Sequence, residues 1–426
     1  MRQMHGYRWQ LFPVLCFGLL AVLPAGSLSA PQVRSLTVAG AAAAQAAPAS
    51  PAEMALRLQA LLGQHSVLAA DFMRGRIRGD EDFAQAADAA LGKNTDAMGR
   101  LMGDLFGAET AKEFAPKWAE HIVELFTYAR GLADQDSAVR AEAREELIEY
   151  EEDLAEFFVD ASHGRLTKAA ANSAMQTHVD HLLAQADAYA AKNYAAADRI
   201  YRESYQHTYD LGGAVAGALL PPKQAAALQA PKWRLRSQLG KLLAEHVVLV
   251  ENVTRAAVRN TPDFAAAGQA VNGNTRDLAA AMDSLFGAAA AKDFQALWAD
   301  HVEQLVAYAS ATAAKDATRQ EQARTKLGEI ENRTATFLES ATGKRLGSSG
   351  LASALRSHDE MMLRHTDAFA TRDYGTAHEV AYQTYEHMYE LARQLADAIG
   401  ATVAARLPVG GVQTGYGGLA ETVERH

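Results

Sequence analysis

Hydrophobic side chains recur every three or four positions through most of this chain, which is the spacing of one face of an α-helix. An early stretch shows the pattern clearly, with apolar residues at Leu58, Leu61, Leu62, Leu68 and Phe72. No segment alternates apolar and polar residues as a half-buried β-strand does. Turn-forming residues divide the region up to residue 219 into helices predicted at 52–75, 82–106, 109–133, 136–160, 167–191 and 194–218.

The connections between these predicted helices are short, so consecutive helices are expected to run antiparallel, as in an up-and-down bundle. The chain also repeats itself. A shift of 180 residues, or 181 before a one-residue deletion, superposes approximately Pro51–Leu219 on Lys232–Ile399. The sequence therefore predicts an all-α protein that arose by tandem duplication of an antiparallel helical bundle, with about six helices in each copy. Copy 1 spans 51–219, a linker spans 220–231, and copy 2 spans 232–400.

The N-terminus has the features of an export signal over residues 1–29. Arg2 and Arg8 supply positive charge, residues 11–24 are apolar, and small residues follow at 25–29. This apolar run is shorter than the roughly 20 residues that span a bilayer, so we expect cleavage and no stable membrane insertion. A flexible spacer is predicted at 30–50 and a flexible tail at 401–426. The sequence thus predicts a secreted or cell-envelope protein.

Composition narrows the chemistry of the mature chain. The formal net charge is −10, and removal of the two signal arginines makes it more negative still, which argues against nucleic acid as a partner. The only cysteine, Cys16, lies inside the predicted signal. The mature chain therefore offers no disulfide or thiolate site, and any metal ion must be held by nitrogen and oxygen. The sequence names no protein partner.

Six polar residues of copy 1 lie near the middle of its six predicted helices and recur in copy 2. Midpoints of antiparallel helices of equal length share a level, so these side chains are expected to form one layer inside each bundle. Most follow apolar residues at helical spacing and should face inward, with His207 the weakest case. Glu151 is preferred to Glu149 because it lies between Leu147 and Leu154. The candidate site residues are His65, Asn94, His121, Glu151, His178 and His207 in copy 1, and His246, Asn274, His301, Glu331, His358 and His387 in copy 2.

Several neutral imidazoles that converge in an apolar interior are typical of a metal site, because each ring offers a nitrogen lone pair. Asn94 and Glu151 would orient the ligands or supply an oxygen ligand. Copper or zinc suits a nitrogen-rich, sulfur-free site best, with iron next. Two alternatives stay open. One is a non-catalytic cell-envelope scaffold or interaction module whose histidines belong to a buried polar network that fixes helix register, and the other is non-covalent haem between two opposed histidines. No catalytic nucleophile or acid–base pair is distinguishable, so metal handling, storage or structure is favoured over turnover.

Several short motifs of copy 1 surround these residues: Leu62-Gly63-Gln64-His65, Asn94-Thr95, Leu105-Phe106-Gly107, Trp118-Ala119-Glu120-His121 and Tyr205-Gln206-His207. Together they resemble an uncharacterised helical repeat of secreted bacterial proteins. Some proteins with this repeat also carry a domain named after the N-terminus of copper amine oxidases. That domain does not occur here, and the resemblance implies no amine oxidase activity.

Overall fold

A computed structural model describes residues 49–400 and Val403, and every regular element among them is an α-helix. The predicted signal, the tail apart from Val403, and all but the last two residues of the predicted spacer lie outside the described residues. Thirteen helices are described: α1 Pro51–Ile77, α2 Glu81–Phe106, α3 Ala108–Ala133, α4 Ser137–Ala161, α5 Lys168–Ala190, α6 Tyr194–Leu219, α7 Pro222–Ala227, α8 Pro231–Arg259, α9 Phe264–Phe286, α10 Ala288–Ala313, α11 Ala317–Ala341, α12 Ser348–Ala370 and α13 Tyr374–Ile399.

The all-α prediction is confirmed, and each predicted boundary of α1–α6 lies within two residues of the observed one. Local signals explain the accuracy. Ser50 caps α1 and forms a reciprocal capping box with Glu53, while Asp136 caps α4 through its side chain. Gly107 separates α2 from α3 with φ +99°, a left-handed conformation that other residues rarely adopt. The predicted linker contains the short helix α7.

Helices α8–α13 follow the same order as α1–α6, which is compatible with a duplicated six-helix unit. In each half the first helix is central. Helix α1 packs against α2, α3, α5 and α6, and α8 packs against α9, α10, α12 and α13. Every residue from Leu58 to Gly75 is buried. The polar side chains in this stretch of α1 are therefore shielded from solvent and must find partners inside the protein.

The two halves pack against each other within one compact unit. Helix α1 contacts α8, α6 contacts α8 and α9, and α13 contacts α2. Charged pairs cross this contact: Arg255 binds Asp71 at 2.8 Å, and Arg202 binds Glu245 at 3.1 Å. The central helices that carry His65 and His246 are thus neighbours, and each half forms part of the other half's surroundings.

Among the described helices, none combines the length and the apolar composition that a membrane crossing requires.

Candidate metal centre

Three of the four predicted histidines in each half come together as a buried trio. The first trio consists of His65 on α1, His121 on α3 and His178 on α5. Each ring offers one nitrogen, and these three nitrogens lie within 4.8 Å of one another. All three side chains are completely shielded from solvent. The central helix and two of its neighbours therefore place three imidazoles around one point in the core.

Hydrogen bonds in the first trio define where the protons are. The Nδ1–H of His121 donates to the backbone carbonyl of Trp118, so Nε2 of the neutral ring carries the lone pair. This Nε2 lies 3.1 Å from Nε2 of His65, which must therefore be the donor. If the trio bound an ion, that ion would take the place of the proton shared between these two rings.

The third ring of the first trio has a free lone pair. Thr208 donates its hydroxyl hydrogen to the carbonyl of Ser204, so it accepts from Nδ1–H of His178, 3.2 Å away. Nε2 of the neutral His178 is then an acceptor, and it is buried without a hydrogen-bond partner among the described residues. The first trio thus presents two Nε2 lone pairs and one N–H.

The second trio consists of His246 on α8, His301 on α10 and His358 on α12, again with one nitrogen of each within 4.8 Å of the others. Nε2 of all three rings is buried and has no hydrogen-bond partner among the described residues. Trp298 donates its indole N–H to Nδ1 of His246 at 3.1 Å, which places the proton of this neutral ring on Nε2. His301 Nδ1 lies 3.3 Å from a carboxylate oxygen of Asp359.

Burial keeps these imidazoles neutral. Desolvation lowers the pKa of His121 to about 3 and that of His301 to about 4. Desolvation, followed by repulsion from neighbouring histidines, holds the pKa values of the other four rings well below the usual range. At neutral pH the rings are therefore uncharged, which is the form in which histidine binds metal ions.

The surroundings of the two trios differ at matched positions. Tyr150 stacks on His121 with ring centroids 4.5 Å apart, and the position 180 residues later is Ile330. Thr208, which orients the first trio, corresponds to Met388. The third difference is one of polarity: Val179 in the first half corresponds to Asp359 in the second, where burial and the neighbouring Glu331 raise the pKa of the Asp359 carboxyl well above its usual range. The histidines recur, but their immediate neighbours have different chemistry.

The fourth matched histidine of each half lies outside its trio. His207 Nε2 donates to the carbonyl of Ala174 at 3.1 Å, and His387 Nε2 donates to that of Ala354 at 2.9 Å. Both bonds join the last helix of a half to the preceding helix. These two histidines therefore hold adjacent helices together by a hydrogen bond. This structural role explains why the histidine occurs in both copies, and it requires no metal ion.

The predicted asparagines also bind the backbone. Asn94 Nδ2 donates to the carbonyl of Leu61 and to Gln64, each at 3.0 Å. Asn274 Nδ2 donates to Leu242 and Glu245, each at 2.9 Å. Each asparagine thus holds the second helix of its half to the central helix, next to the turn that carries the trio histidine. It acts on the helix rather than on an imidazole ring.

The predicted glutamates are buried beside arginines. Glu151 pairs with Arg144, and Glu331 pairs with Arg356 at 3.2 Å. Glu331 also hydrogen-bonds Asp359, which links it indirectly to the second trio. Neither glutamate belongs to the group of atoms within 4.8 Å in its half. The sequence analysis missed Asp359, Thr208 and the hydrogen bond that Trp298 donates. Only Trp298 had a signal in the sequence, because it precedes the trio histidine His301 by three residues.

A scan against protein-family models found no match, and searches of curated proteins and of solved structures found none either. The resemblance to a secreted helical repeat therefore stays a prediction based on the short motifs quoted above.

Proposed function

We propose that each histidine trio binds one transition metal ion, and that the protein handles or stores such ions outside the cytoplasm. The observation that carries this proposal is the convergence of three buried, neutral imidazoles in each half. In the second trio all three Nε2 atoms lack a hydrogen-bond partner among the described residues. A buried polar group without a partner costs about 1–3 kcal/mol, and a bound ion would remove that cost.

The donor set favours copper or zinc. It contains only nitrogen atoms, which suit copper, zinc and iron more than magnesium or calcium. Three nitrogens that bind one ion at about 2.0–2.1 Å lie about 3.3–3.6 Å from one another, so rings whose nitrogens are within 4.8 Å would have to close in by about 1 Å. To bind an ion through Nε2, His65 and His246 would also have to shift the ring proton from Nε2 to Nδ1. In His246 this nitrogen accepts the indole N–H of Trp298, so metal binding would break that hydrogen bond. In His65 the shift would take place in the ring that packs against Trp118.

Burial of the ligands favours holding an ion over turnover. Three ligands leave a coordination position open, as in catalytic zinc sites, but such sites are reached by water and substrate. Here five of the six rings have essentially no exposed surface, and His301 retains only 6%. We therefore infer storage, transport or a structural role. The predicted export signal supports a location outside the cytoplasm.

A buried polar network is the second candidate function for the histidines, with the protein acting as a cell-envelope scaffold. The observation that favours it is the hydrogen bond between His65 and His121, which partly satisfies the first trio without an ion. A network of this kind fixes the register of α1 against α3. The two candidates differ in whether purified protein retains metal.

Metal analysis of the full mature chain distinguishes them. The protein would be stripped with a chelator, loaded with copper or zinc, desalted and assayed for bound metal. Up to two ions per chain are expected, and ligand at about a hundred times its dissociation constant should raise the unfolding free energy by about 2.7 kcal/mol. The control is the double variant His121→Ala/His301→Ala. Absence of retained metal and of stabilisation with every ion tested would favour the scaffold.

A further inference from the structure

We propose that the first trio, His65, His121 and His178, selects monovalent copper over divalent ions, whereas the second trio accepts both. This inference rests on the proposed function and adds the chemical class of the ion. It follows from the burial of each trio and from the acidic side chain that lies beside a ligand histidine of the second trio but has no counterpart in the first.

The first trio has uncharged neighbours. Trp118 and Tyr150 pack against its rings, Thr208 binds His178, and Val179 follows His178 in the chain. The predicted ligand Glu151 is already paired with Arg144, and this arginine also binds Asp180 at 2.9 Å. An ion held by three neutral imidazoles therefore keeps its full charge inside the protein core.

That charge determines which ion is stable there. The cost of transferring an ion from water to a low-dielectric interior grows with the square of its charge, so a divalent ion costs roughly four times as much as a monovalent ion of similar size. Zinc sites built from three histidines keep a water or hydroxide in the fourth position. The three rings of the first trio are fully buried, which opposes retention of a solvent-derived ligand.

Monovalent copper fits this environment. It binds imidazole nitrogen, has a filled d shell that imposes no fixed geometry, and is stable with few ligands. The rings of Trp118 and Tyr150 pack against that of His121 at centroid distances of 4.8 Å and 4.5 Å and add no charge to the pocket. A single positive charge is thus the one that this neutral pocket stabilises best.

The second trio provides a matched contrast within the same chain. Asp359 lies where the first half has Val179, and its carboxylate is 3.3 Å from His301 Nδ1. A carboxyl group next to a ligand histidine orients the ring and strengthens its bond to a metal ion, as in many zinc sites. In the metal-free protein burial and Glu331 raise the pKa of Asp359 well above its usual range, so the position of this group beside His301, rather than a fixed negative charge, distinguishes the second trio. The second trio therefore suits a divalent ion in a way that the first does not.

The test is a comparison of zinc and copper(I) stoichiometry in the full mature chain. Anaerobic titration with copper(I) in competition with a chromophoric chelator should give two ions per chain, and silver(I) should behave alike as a redox-inert monovalent probe. Zinc should give one ion per chain, with any second ion about tenfold or more weaker. Two zinc ions of equal affinity in the wild-type protein would overturn the inference, and this measurement requires no variant.

Exchange of the matched residues sharpens the test. Val179→Asp should add a second zinc ion, with Val179→Asn as the neutral control, and Asp359→Val should remove zinc while two copper(I) ions remain. His121→Ala should lose a copper(I) ion but no zinc, and His301→Ala should lose the zinc. Val179→Asp without a gain in zinc, in a folded protein, would contradict the inference. If neither copper(I) nor zinc binds the wild-type chain, the proposed function itself fails, and the two failures are therefore distinguishable.

Discussion

The hydroxyl oxygens of Tyr205 and Tyr385 lie 3.1 Å apart at the contact between the two halves. Each also donates to a backbone carbonyl of the opposite half: Tyr205 to Lys241 at 3.1 Å, and Tyr385 to Ala60 at 2.9 Å. The tyrosines are 180 residues apart and the carbonyls 181, which are the two offsets of the sequence superposition. Matched residues that contact each other reciprocally are the mark of a two-fold interface. The halves therefore pack like the subunits of a symmetric dimer.

Removal of either tyrosine hydroxyl should weaken this contact. We expect Tyr205→Phe and Tyr385→Phe each to lower the free energy of unfolding by about 0.5–1.5 kcal/mol, because each loses a buried hydrogen bond. The double variant should lose at least the sum of the two, since each hydroxyl donates its single hydrogen to a carbonyl and the two oxygens then share no hydrogen bond. Urea unfolding measures the three values, with Tyr194→Phe as a half-buried control. A loss clearly below the sum would show that the two hydroxyls donate to each other instead.

The sequence predicted the helices more completely than the site, for a physical reason. Helical periodicity and turn residues define where a helix begins and ends, and they also give the level of a residue along the helix axis. They do not give its rotation about that axis relative to neighbours. His178 and His207 have the same level in prediction, yet one faces the trio and the other faces the carbonyl of Ala174.

Residues that adjust the histidines were harder still to predict. Asp359 and Val179 occupy matched positions, so a search for residues shared by both halves passes over them. Their importance depends on distance to an imidazole in another helix, which requires the packed structure. Trp298 is buried, and burial alone explains its aromatic ring. Its indole hydrogen bond to His246 follows only from the crossing of α8 and α10.

Substitution of trio and non-trio histidines should have separate effects on metal and on stability. We expect His121→Ala to lose one copper(I) ion per chain, since it removes a ligand of the first trio. His207→Ala should keep all ions and lower the free energy of unfolding by about 1–3 kcal/mol, since it removes the bond to Ala174. Metal analysis and urea unfolding on the same samples measure both quantities.

The control for this pair is His163→Asn at a turn, where asparagine tolerates the left-handed backbone at φ +53°. It should change neither quantity. Loss of an ion in His207→Ala, with the fold intact, would place this histidine among the metal ligands. It would contradict the structural role of His207 in holding α6 to α5.

Acid should destabilise the metal-free protein through protonation of the six histidines of the two trios. Burial lowers the folded-state pKa of His121 to about 3 and that of His301 to about 4, below the usual value of about 6.5 in the unfolded chain. Between these values the unfolded chain binds more protons than the folded one, so stability falls as pH falls below about 6.5. Urea midpoints from pH 7 to pH 4 measure the slope. His121→Gln should reduce it, and an unchanged slope in a folded variant would exclude His121 as a contributor.

Glu251 should give stability a dependence on pH of the opposite sign. It is buried at the contact between the halves, where desolvation raises its pKa to about 8 against the opposing effect of Arg255, whose guanidinium lies 3.7 Å away. Between the ordinary glutamate pKa of about 4.3 and this value, the folded state holds a proton that the unfolded chain has released. Stability from this group is therefore complete at low pH and is lost as pH rises towards 8.

Glu251→Gln keeps the shape of the protonated side chain and removes its titration. The variant should become more stable relative to wild type as pH rises from about 6.5 to 9. Over most of this range the trio histidines are neutral in both the folded and the unfolded state, so they do not contribute to the trend. Urea midpoints at pH 6.5, 7.5 and 9 provide the comparison, and Glu149→Gln on the exposed face of α4 is the control. Parallel stability curves for wild type and Glu251→Gln would mean that Glu251 is already ionised in the folded protein and is fully compensated by Arg255.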